Sequence, residues 1–425
     1  MLVPALLVVL GTAPDVGAAT GGTASYPPPP APLTFLPITP LGARCLDSSP
    51  YGFYFVPAKG GAASSTKWTL YLQGGGWCTT EASCWSRAHI ATGTSSLFPR
   101  TSRCRCMNGP GVDDQTCNCL YLPYCDGASF SGFREAPWPV NATNPHGDKL
   151  YFRGLANLDD TLAHAFTHLG LGNATEMVVT GESAGGLATF VHADRVAERM
   201  GARVRTTAAP IVGFFLDHAP SPSSDPAGGP SPSGYPATPI ITWMAYMYRM
   251  MNMTARGTTG GQGGGGALNA ECMAAFPATP HFCFMSPHLA PYIRTPLFMF
   301  NSKVDEWQLM NDLQVPCYRN KTNYPNHTIQ CPAEQQAEVF AYASDFTAAL
   351  APLLANPANG AFITSCICHS CAWNQLSLGN RTGYAHYTDW ITGKTTGPAS
   401  VHIDSRAPNG GGALPPMSPV CFPWP

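Results

Sequence analysis

The sequence predicts an α/β fold with a mostly parallel sheet, helices on both of its faces and many disulfide bonds. Three observations predict it. Strand-like apolar runs alternate with helix-like runs along the chain. Hydrophobic residues make up 44% of the 425 residues, enough for a large core, and the chain contains 16 cysteines. No internal repeat is evident, which disfavours a solenoid.

The predicted elements alternate in type. Short apolar runs predict strands at 68–72, 177–180, 296–300 and 361–364. Helices are predicted at 155–169, 184–200, 240–253 and 337–354. The third helix carries methionines and aromatic residues at helical spacing. It is either a lid over an acyl pocket or an ordinary core helix, and the core helix is the favoured interpretation.

The N-terminal region is predicted to be a secretory signal followed by a linker. Residues 1–18 contain the apolar run Leu2 to Leu10, which is too short to span a membrane, and small residues follow it. An apolar N-terminal strand is the alternative. Residues 19–40, in which Tyr26 precedes four prolines, read as a Pro-rich linker.

The rest of the chain is predicted to be one folded domain with a tail. The domain covers residues 41–395, and low-complexity surface loops are expected at 219–238 and 257–266. Residues 396–425 form a Pro- and Gly-rich tail.

The charge of the chain excludes some partners. Its 23 Lys and Arg against 25 Asp and Glu give −2, too balanced to predict nucleic-acid binding. The chain contains no apolar run of about 18 residues, so no integral membrane segment is predicted.

Only 11% of the residues are charged, so we expect attached glycans to keep the protein soluble. The sequons are Asn141, Asn173, Asn252, Asn320, Asn326 and Asn380. We expect a disulfide-bonded, glycosylated monomer that is secreted and extracellular.

Gly181-Glu182-Ser183-Ala184-Gly185 matches the G-x-S-x-G nucleophile elbow. Its small residues permit a strained turn from a strand into a helix, which exposes the serine hydroxyl above the sheet. The match lies between a predicted strand and a predicted helix, so Ser183 is the candidate nucleophile and the fold is predicted to be α/β-hydrolase-like. A buried structural turn is the alternative.

A serine nucleophile needs a histidine base and a carboxylate that orients it, and in this fold they follow in the order Ser, Asp or Glu, His. Asp305 and His369 lie just beyond the late strands that end at Phe300 and Thr364. They are the predicted carboxylate and base. The alternatives are Glu306, His327, His386 and His402.

Gly74-Gly75-Gly76-Trp77 follows an early strand and is typical of a turn whose backbone N–H groups bind an oxyanion. The predicted donors are the N–H groups of Gly76, Trp77 and Ala184. A plain hairpin or a phosphate-binding loop is the alternative. The Gly-Lys-Ser/Thr ending of a Walker loop is absent, so nucleotide chemistry is unsupported and no cofactor is expected.

The cysteine clusters could bind zinc or form disulfides. Cys104 and Cys106, and likewise Cys117 and Cys119, are separated by one residue, fewer than structural zinc sites usually show. Disulfides are therefore favoured, and no metal is expected. Bridges among Cys366, Cys368 and Cys371 would constrain the loop that carries His369.

Several blocks together resemble the pectin acetylesterases of plants and microbes and the animal Notum carboxylesterases, with the plant-type members closer. The blocks are Tyr71 to Cys78, Tyr124 to Gly132, Tyr151 to Gly154, Gly181 to Gly186, Thr295 to Gln308 and Phe362 to His369. The matches run through most of residues 45 to 395. The resemblance implies that Ser183 is the nucleophile, His369 the base and Asp305 its orienting carboxylate.

The resemblance also implies a function. We expect a serine carboxylesterase that removes O-acetyl groups from an extracellular or cell-wall polysaccharide, such as pectin. The alternatives are a Notum-like deacylase that removes a fatty acyl group from a protein, and a non-catalytic carbohydrate-binding protein. This chain departs from plant members at Glu182, where they usually carry cysteine, at Gln73, and at Ser370-Cys371. Glu182 is expected to disfavour anionic substrates.

Overall fold

The structure, a computed structural model, describes residues 30–108, 115–140, 148–224, 231, 234–254, 266–319 and 331–405. The strands are β1 Ala31–Phe35, β2 Gly52–Val56, β3 Lys67–Leu72, β4 Thr101–Ser102, β5 Asn118–Leu122, β6 Trp138–Pro139, β7 Lys149–Leu150, β8 Glu176–Glu182, β9 Arg205–Ile211, β10 Phe298–Ser302, β11 Gly360–Thr364, β12 Ser377–Leu378, β13 Arg381–Thr382 and β14 Val401–Ile403. The helices are α1 Glu81–Arg87, α2 Gly154–His164, α3 Ala184–Met200, α4 Ile240–Met250, α5 Ala270–Ala275, α6 Ser286–Leu289, α7 Glu306–Asn311, α8 Pro316–Arg319, α9 Ala333–Ala349, α10 Ala351–Leu354 and α11 Gly383–Ile391.

One large sheet organises the described chain. Its ten strands have the order β14-β11-β10-β9-β8-β3-β5-β2-β1-β4. The strands from β14 to β5 pair in parallel, whereas β2, β1 and β4 are added antiparallel at the other edge. The predicted mostly parallel sheet is confirmed.

Helices cover both faces of the sheet because successive side chains of each strand point to opposite sides. Along β8, Met177 and Val179 belong to the larger core cluster, which includes side chains of α2, α3 and α4. Val178, between them, belongs to a second cluster in which Tyr387 and Trp390 of α11 pack. The predicted helices on both faces are confirmed.

Both ends of the described chain depart from the predicted linker and tail. Strand β1 lies within residues 19–40 and pairs with β2, Leu33 opposite Tyr54. Strand β14 lies within residues 396–425 and pairs with β11, Ile403 opposite Ile363. Short strands at or next to a sheet edge are stabilised by hydrogen bonds to neighbouring strands, so the Pro- and Gly-rich composition did not reveal them. The predicted signal peptide lies outside the described residues.

Disulfides join the cysteine clusters. The described pairs are Cys45–Cys125, Cys78–Cys84, Cys104–Cys119, Cys106–Cys117, Cys272–Cys283, Cys317–Cys331 and Cys368–Cys371. The disulfide interpretation of the clusters is therefore confirmed. Within the described ranges, no group of three or more His, Cys, Asp and Glu side chains could hold a metal ion. None of the helices in this part of the chain combines the length and apolar character that crossing a membrane requires.

The parallel register brings four strand ends to one edge of the sheet. Leu72 at the end of β3 lies opposite Gly181 of β8. Ser302 at the end of β10 lies opposite Thr364 at the end of β11. The segments that follow these strands carry the glycine-rich turn, Ser183, Asp305 and His369, so the predicted site residues leave the sheet at the same edge.

Candidate active site

Ser183 occupies a sharp turn between β8 and α3. Its backbone has φ 60° and ψ −123°, a conformation that L-residues rarely adopt. A Cβ atom at Gly185 would overlap the carbonyl oxygen of Leu72, and one at Gly186 would overlap that of Ile211. The small residues of the motif are thus required by close packing of the turn and helix against neighbouring strands, as in a nucleophile elbow.

Asp305 links the start of α7 to His369. Its Oδ1 accepts a hydrogen bond from the backbone N–H of Gln308 at 3.0 Å, which caps the helix. Its Oδ2 lies 2.8 Å from Nδ1 of His369. The carboxylate is fully buried, so both oxygens have a fixed direction. Because a carboxylate accepts hydrogen bonds, it places the proton of a neutral His369 on Nδ1 and leaves Nε2 as the acceptor.

The loop that carries His369 is closed by the Cys368–Cys371 disulfide, which spans only Ser370 and the histidine itself. The imidazole also lies against two aromatic rings, Phe215 and Trp307, with ring centroids 6.3 Å away in each case. The expectation that bridges among the three late cysteines constrain this loop is confirmed for this pair.

The charges around His369 favour its protonated form. Burial lowers the pKa of the imidazole, but the charge and hydrogen bond of Asp305 raise it, and the charges of Glu182 and Glu306 add to the rise. The net result is a pKa above the ordinary value of 6.5. A base with a raised pKa accepts a proton readily, and it loses that proton at a higher pH than an ordinary histidine does.

Ser183 and His369 line the same pocket, which has a volume of about 600 Å³. Nε2 of His369 is buried and has no hydrogen-bond partner among the described residues, so the nitrogen that would take the serine proton is free to do so. The structure therefore brings Ser183, Asp305 and His369 to one site. Their catalytic roles remain a prediction.

The alternative residues occupy other positions. Glu306 lies beside Asp305 and acts on His369 through its charge, whereas Asp305 makes the hydrogen bond. His386 and His402 stack on each other with centroids 3.5 Å apart, and Nε2 of His386 lies 3.0 Å from the carbonyl oxygen of Leu378. His327 lies outside the described residues.

The carbonyl oxygens of the glycine-rich turn after β3 accept hydrogen bonds from side chains elsewhere in the protein. Arg87 Nη2 donates to the carbonyl oxygens of Gly75 and Trp77, at 2.9 and 3.2 Å. The Tyr124 hydroxyl donates to the carbonyl oxygen of Gly76 at 2.9 Å. Gly76 has φ 68°, which glycine adopts at little cost. These bonds fix the peptide planes of the turn.

The three predicted oxyanion donors have different surroundings. Ala184 is the first residue of α3, so its N–H has no partner within the helix. Gly76 lines the pocket beside Ser183. The N–H of Trp77, however, donates to the hydroxyl of Tyr235 at 2.8 Å. The Tyr235 hydroxyl therefore competes with an oxyanion for the Trp77 N–H in this structure.

Sequence reasoning missed a cluster of aromatic rings, which we call the aromatic wall, and two of its members, Tyr235 and Trp307, line the pocket with Ser183. Trp77, Phe215 and Trp307 contact one another with ring centroids 4.8 to 5.4 Å apart. Tyr235 adds to the wall at 5.2 Å from Trp307. Tyr235 belongs to the low-complexity segment 219–238, which was expected to be a surface loop but buries this ring. A single aromatic residue within a Pro-, Ser- and Gly-rich run was the available signal.

Helix α4 packs in the core. Ile240, Trp243, Met244, Met247 and Met250 are all buried and belong to the larger core cluster. The core-helix interpretation is confirmed, although the helix ends at Met250, three residues earlier than predicted. The helix reaches the site only indirectly, because Trp243 stacks on the ring of Tyr235 with centroids 4.9 Å apart.

Polar side chains also line the pocket. Glu182 and Gln73 line it, and Oε1 of Gln73 accepts a hydrogen bond from the Tyr124 N–H at 2.9 Å. Tyr71 and Tyr121 also line it and stack on each other with ring centroids 5.1 Å apart. This combination of half-buried rings, an amide and a carboxylate suits a ligand that carries hydroxyl groups.

Comparisons with known proteins give matches over most of the chain. The family model "Pectinacetylesterase" matches residues 29–225 and 247–409. Pectin acetylesterase 11 of Arabidopsis thaliana is 29% identical over 350 residues, 80% of this chain and 79% of the relative. Palmitoleoyl-protein carboxylesterase NOTUM of Drosophila melanogaster is 26% identical over 66% of this chain and 39% of its own length. The crystal structure of the Wnt deacylase Notum from Drosophila covers 89% of this chain and 97% of its own, with a TM-score of 0.68 and 22% identity.

Proposed function

The chain belongs to the pectinacetylesterase family and is a carboxylic ester hydrolase, and from that premise we propose that it removes O-acetyl groups from an extracellular polysaccharide. The observation that supports an acetyl ester as the substrate is the aromatic wall at the pocket that contains Ser183. Tyr235 and Trp307 line the pocket, and Trp77 and Phe215 pack against Trp307. The substrate would be pectin or a pectin-like cell-wall polymer.

In the proposed mechanism Ser183 attacks the acetyl carbonyl while Nε2 of His369 accepts the serine proton. Asp305 holds the imidazole and stabilises its charge. The tetrahedral oxyanion is stabilised by N–H groups at the start of α3 and in the glycine-rich turn. The sugar hydroxyl leaves with the proton from His369, and water activated by the same histidine then releases acetate.

The aromatic wall favours a short acyl chain. A long fatty acyl chain needs an apolar tunnel beside the nucleophile, and the α4 methionines that could have lined one are buried in the core. The rings of Tyr235 and Trp243 stack on each other between that helix and the pocket. A methyl group needs only a small apolar recess, and we propose that the rings of Tyr235 and Trp307, which line the pocket, form it.

The polar side chains of the pocket suit a sugar as the alcohol part of the ester. Pyranose rings present both hydroxyl groups and an apolar face, and Gln73 and the paired rings of Tyr71 and Tyr121 can contact both. Glu182 places a carboxylate in the same pocket. Its charge would repel a free uronate, so we propose a preference for neutral or esterified sugars.

The disulfides support an extracellular location, because bonds of this kind form and persist in oxidising compartments. Asn173 and Asn380 lie exposed on the surface, where glycans could be attached, and Asn252 is half-buried. The other three predicted sequons lie outside the described residues. We propose a secreted glycoprotein.

The test compares the purified protein with Ser183→Ala on p-nitrophenyl esters from acetyl to long acyl chains, and on acetylated pectin and xylan. We expect Ser183-dependent release of acetate, with turnover falling as the acyl chain lengthens. Turnover that rises with chain length would instead indicate a protein deacylase. If no ester shows Ser183-dependent turnover, the catalytic proposal fails and a binding protein is favoured.

A further inference from the structure

The hydroxyl of Tyr235 lies between the two polar groups of the Trp77 backbone. It accepts a hydrogen bond from the Trp77 N–H at 2.8 Å and donates to the Trp77 carbonyl oxygen at 3.2 Å. It also borders Gly76 so closely that a Cβ there would lie 2.5 Å from the hydroxyl oxygen. Tyr235, Gly76, Ser183 and His369 line one pocket. The phenol therefore occupies the place where the backbone of the turn meets the reacting groups.

This arrangement changes which atom can face the oxyanion. A backbone N–H has one hydrogen and makes one strong bond. While the Trp77 N–H donates to Tyr235, it cannot also donate with good geometry to a substrate oxygen. Either the phenol leaves when substrate binds, or the Trp77 N–H is not a direct donor and the phenol hydroxyl is available in its place.

The ring of Tyr235 is held too firmly to act as a mobile plug. It stacks on Trp243 with centroids 4.9 Å apart and meets the edge of Trp307 at 5.2 Å. Its own N–H donates to the Ser231 hydroxyl at 3.0 Å, and its carbonyl oxygen accepts from the Ser231 N–H at 2.8 Å. Only 6% of Tyr235 is exposed. A group fixed on both faces and through its backbone is preorganised.

The electrostatic setting favours donation by the phenol. Burial raises the pKa of Tyr235, against the lowering effects of Arg87 and of the Trp77 bond, so the hydroxyl stays protonated at neutral pH. Its contact with the Trp77 carbonyl, at 3.2 Å, is longer than the usual 2.7 to 2.8 Å of O–H···O bonds. Rotation about the C–O bond of the phenol would redirect the hydrogen into the pocket without moving the ring.

We propose that the Tyr235 hydroxyl is a direct hydrogen-bond donor to the oxyanion, and that the Trp77 N–H, by donating to the phenol oxygen, strengthens this bond. The donor set would then be the Tyr235 O–H with the N–H groups of Gly76 and Ala184. The Trp77 N–H would polarise the phenol, since hydrogen bonds in a chain strengthen one another. The inference rests on the proposed attack by Ser183, and it holds for whichever ester is cleaved.

The first test is Tyr235→Phe, which keeps the ring and removes only the donor. We expect kcat on p-nitrophenyl acetate to fall by about 100-fold while KM changes little, as for other oxyanion donors. The matched control is Tyr387→Phe, which removes another buried hydroxyl, bonded to the Met107 carbonyl oxygen at 2.7 Å, and should leave kcat unchanged. A kcat for Tyr235→Phe equal to or above that of the parent overturns the proposal.

A second test needs no variant and so does not depend on folding. The parent protein is inactivated with a p-nitrophenyl alkylphosphonate, which leaves a tetrahedral adduct on Ser183, and its crystal structure is determined. We expect Tyr235 Oη within hydrogen-bond distance of the phosphonyl oxygen. A phosphonyl oxygen bound by the Trp77 N–H, with the tyrosine displaced, contradicts the inference. Failure of the parent to turn over any ester through Ser183 would refute the proposed function instead.

Discussion

The two carboxylate oxygens of Asp305 make different contacts, and two substitutions can separate the effects of these contacts. Oδ1 caps α7 through the Gln308 N–H, and Oδ2 holds Nδ1 of His369. Asparagine keeps a capping oxygen but offers an N–H to the histidine. That would force the imidazole proton onto Nε2, where it blocks acceptance of the serine proton. Alanine removes both bonds.

The magnitudes follow from these contacts. Asp305→Asn should lower kcat by about 10⁴-fold, because the wrong histidine tautomer is held. Its free energy of unfolding should change by less than about 1 kcal/mol, since Asn and Asp cap helices about equally well. Asp305→Ala should lose about 1 kcal/mol for the cap. A further loss of about 1 to 3 kcal/mol is expected for the unpaired, mostly buried Nδ1–H of His369.

The assays are steady-state hydrolysis of p-nitrophenyl acetate and unfolding in urea. The control is Asn269→Ala, which removes the cap of α5, where Oδ1 accepts from the Cys272 N–H at 3.0 Å. It should lose about 1 kcal/mol and keep its kcat. The reasoning is refuted if Asp305→Asn retains kcat within a factor of about ten. Asp305 would then be a helix cap alone, and Glu306 would be the next candidate.

Three further sets of variants test the charges and the disulfide near the site. Glu182→Gln should move the acid limb of the kcat/KM profile to lower pH, because the Glu182 charge helps to raise the pKa of His369; an unmoved limb argues against this coupling. Replacing Cys368 and Cys371 by serine should lower kcat more than it changes KM and should lose about 2 kcal/mol of unfolding free energy, measured by kinetics and urea unfolding. Burial raises the pKa of Asp126 to about 7, so its contribution to stability is complete below the unfolded pKa of about 4 and lost as pH rises through 7. Asp126→Asn should therefore flatten the pH dependence of Tm in that window, and an unchanged slope would contradict the argument.

The sequence predicted the parts of the site that follow from local pattern. Ser183 was found from its motif between a strand and a helix, and Asp305 and His369 from chain order after late strands. The structure places all three at one edge of the sheet because parallel strands share a direction. Helix α3 has the predicted bounds, Ala184–Met200, since an apolar face and a closing glycine mark it locally.

Features that depend on distant partners were not predictable in this way. Tyr235 contacts Trp77 across 158 residues, and apart from the presence of this one aromatic residue, nothing in the Pro-, Ser- and Gly-rich segment indicates a buried ring. Strand β14 exists because β11 supplies an edge for it. The pairing of Cys45 with Cys125 spans 80 residues, and sequence spacing alone does not determine it.

If the acetyl group is transferred to Ser183 during turnover, an acetylated form of that serine accumulates and can be trapped. The protein is mixed with p-nitrophenyl acetate, quenched in acid during turnover and digested, and its peptides are examined by mass spectrometry. We predict that the peptide containing Ser183 gains the mass of one acetyl group, and that Ser183→Ala yields neither this adduct nor turnover. Steady hydrolysis in the Ser183→Ala variant, or acetylation confined to another residue, would contradict the account.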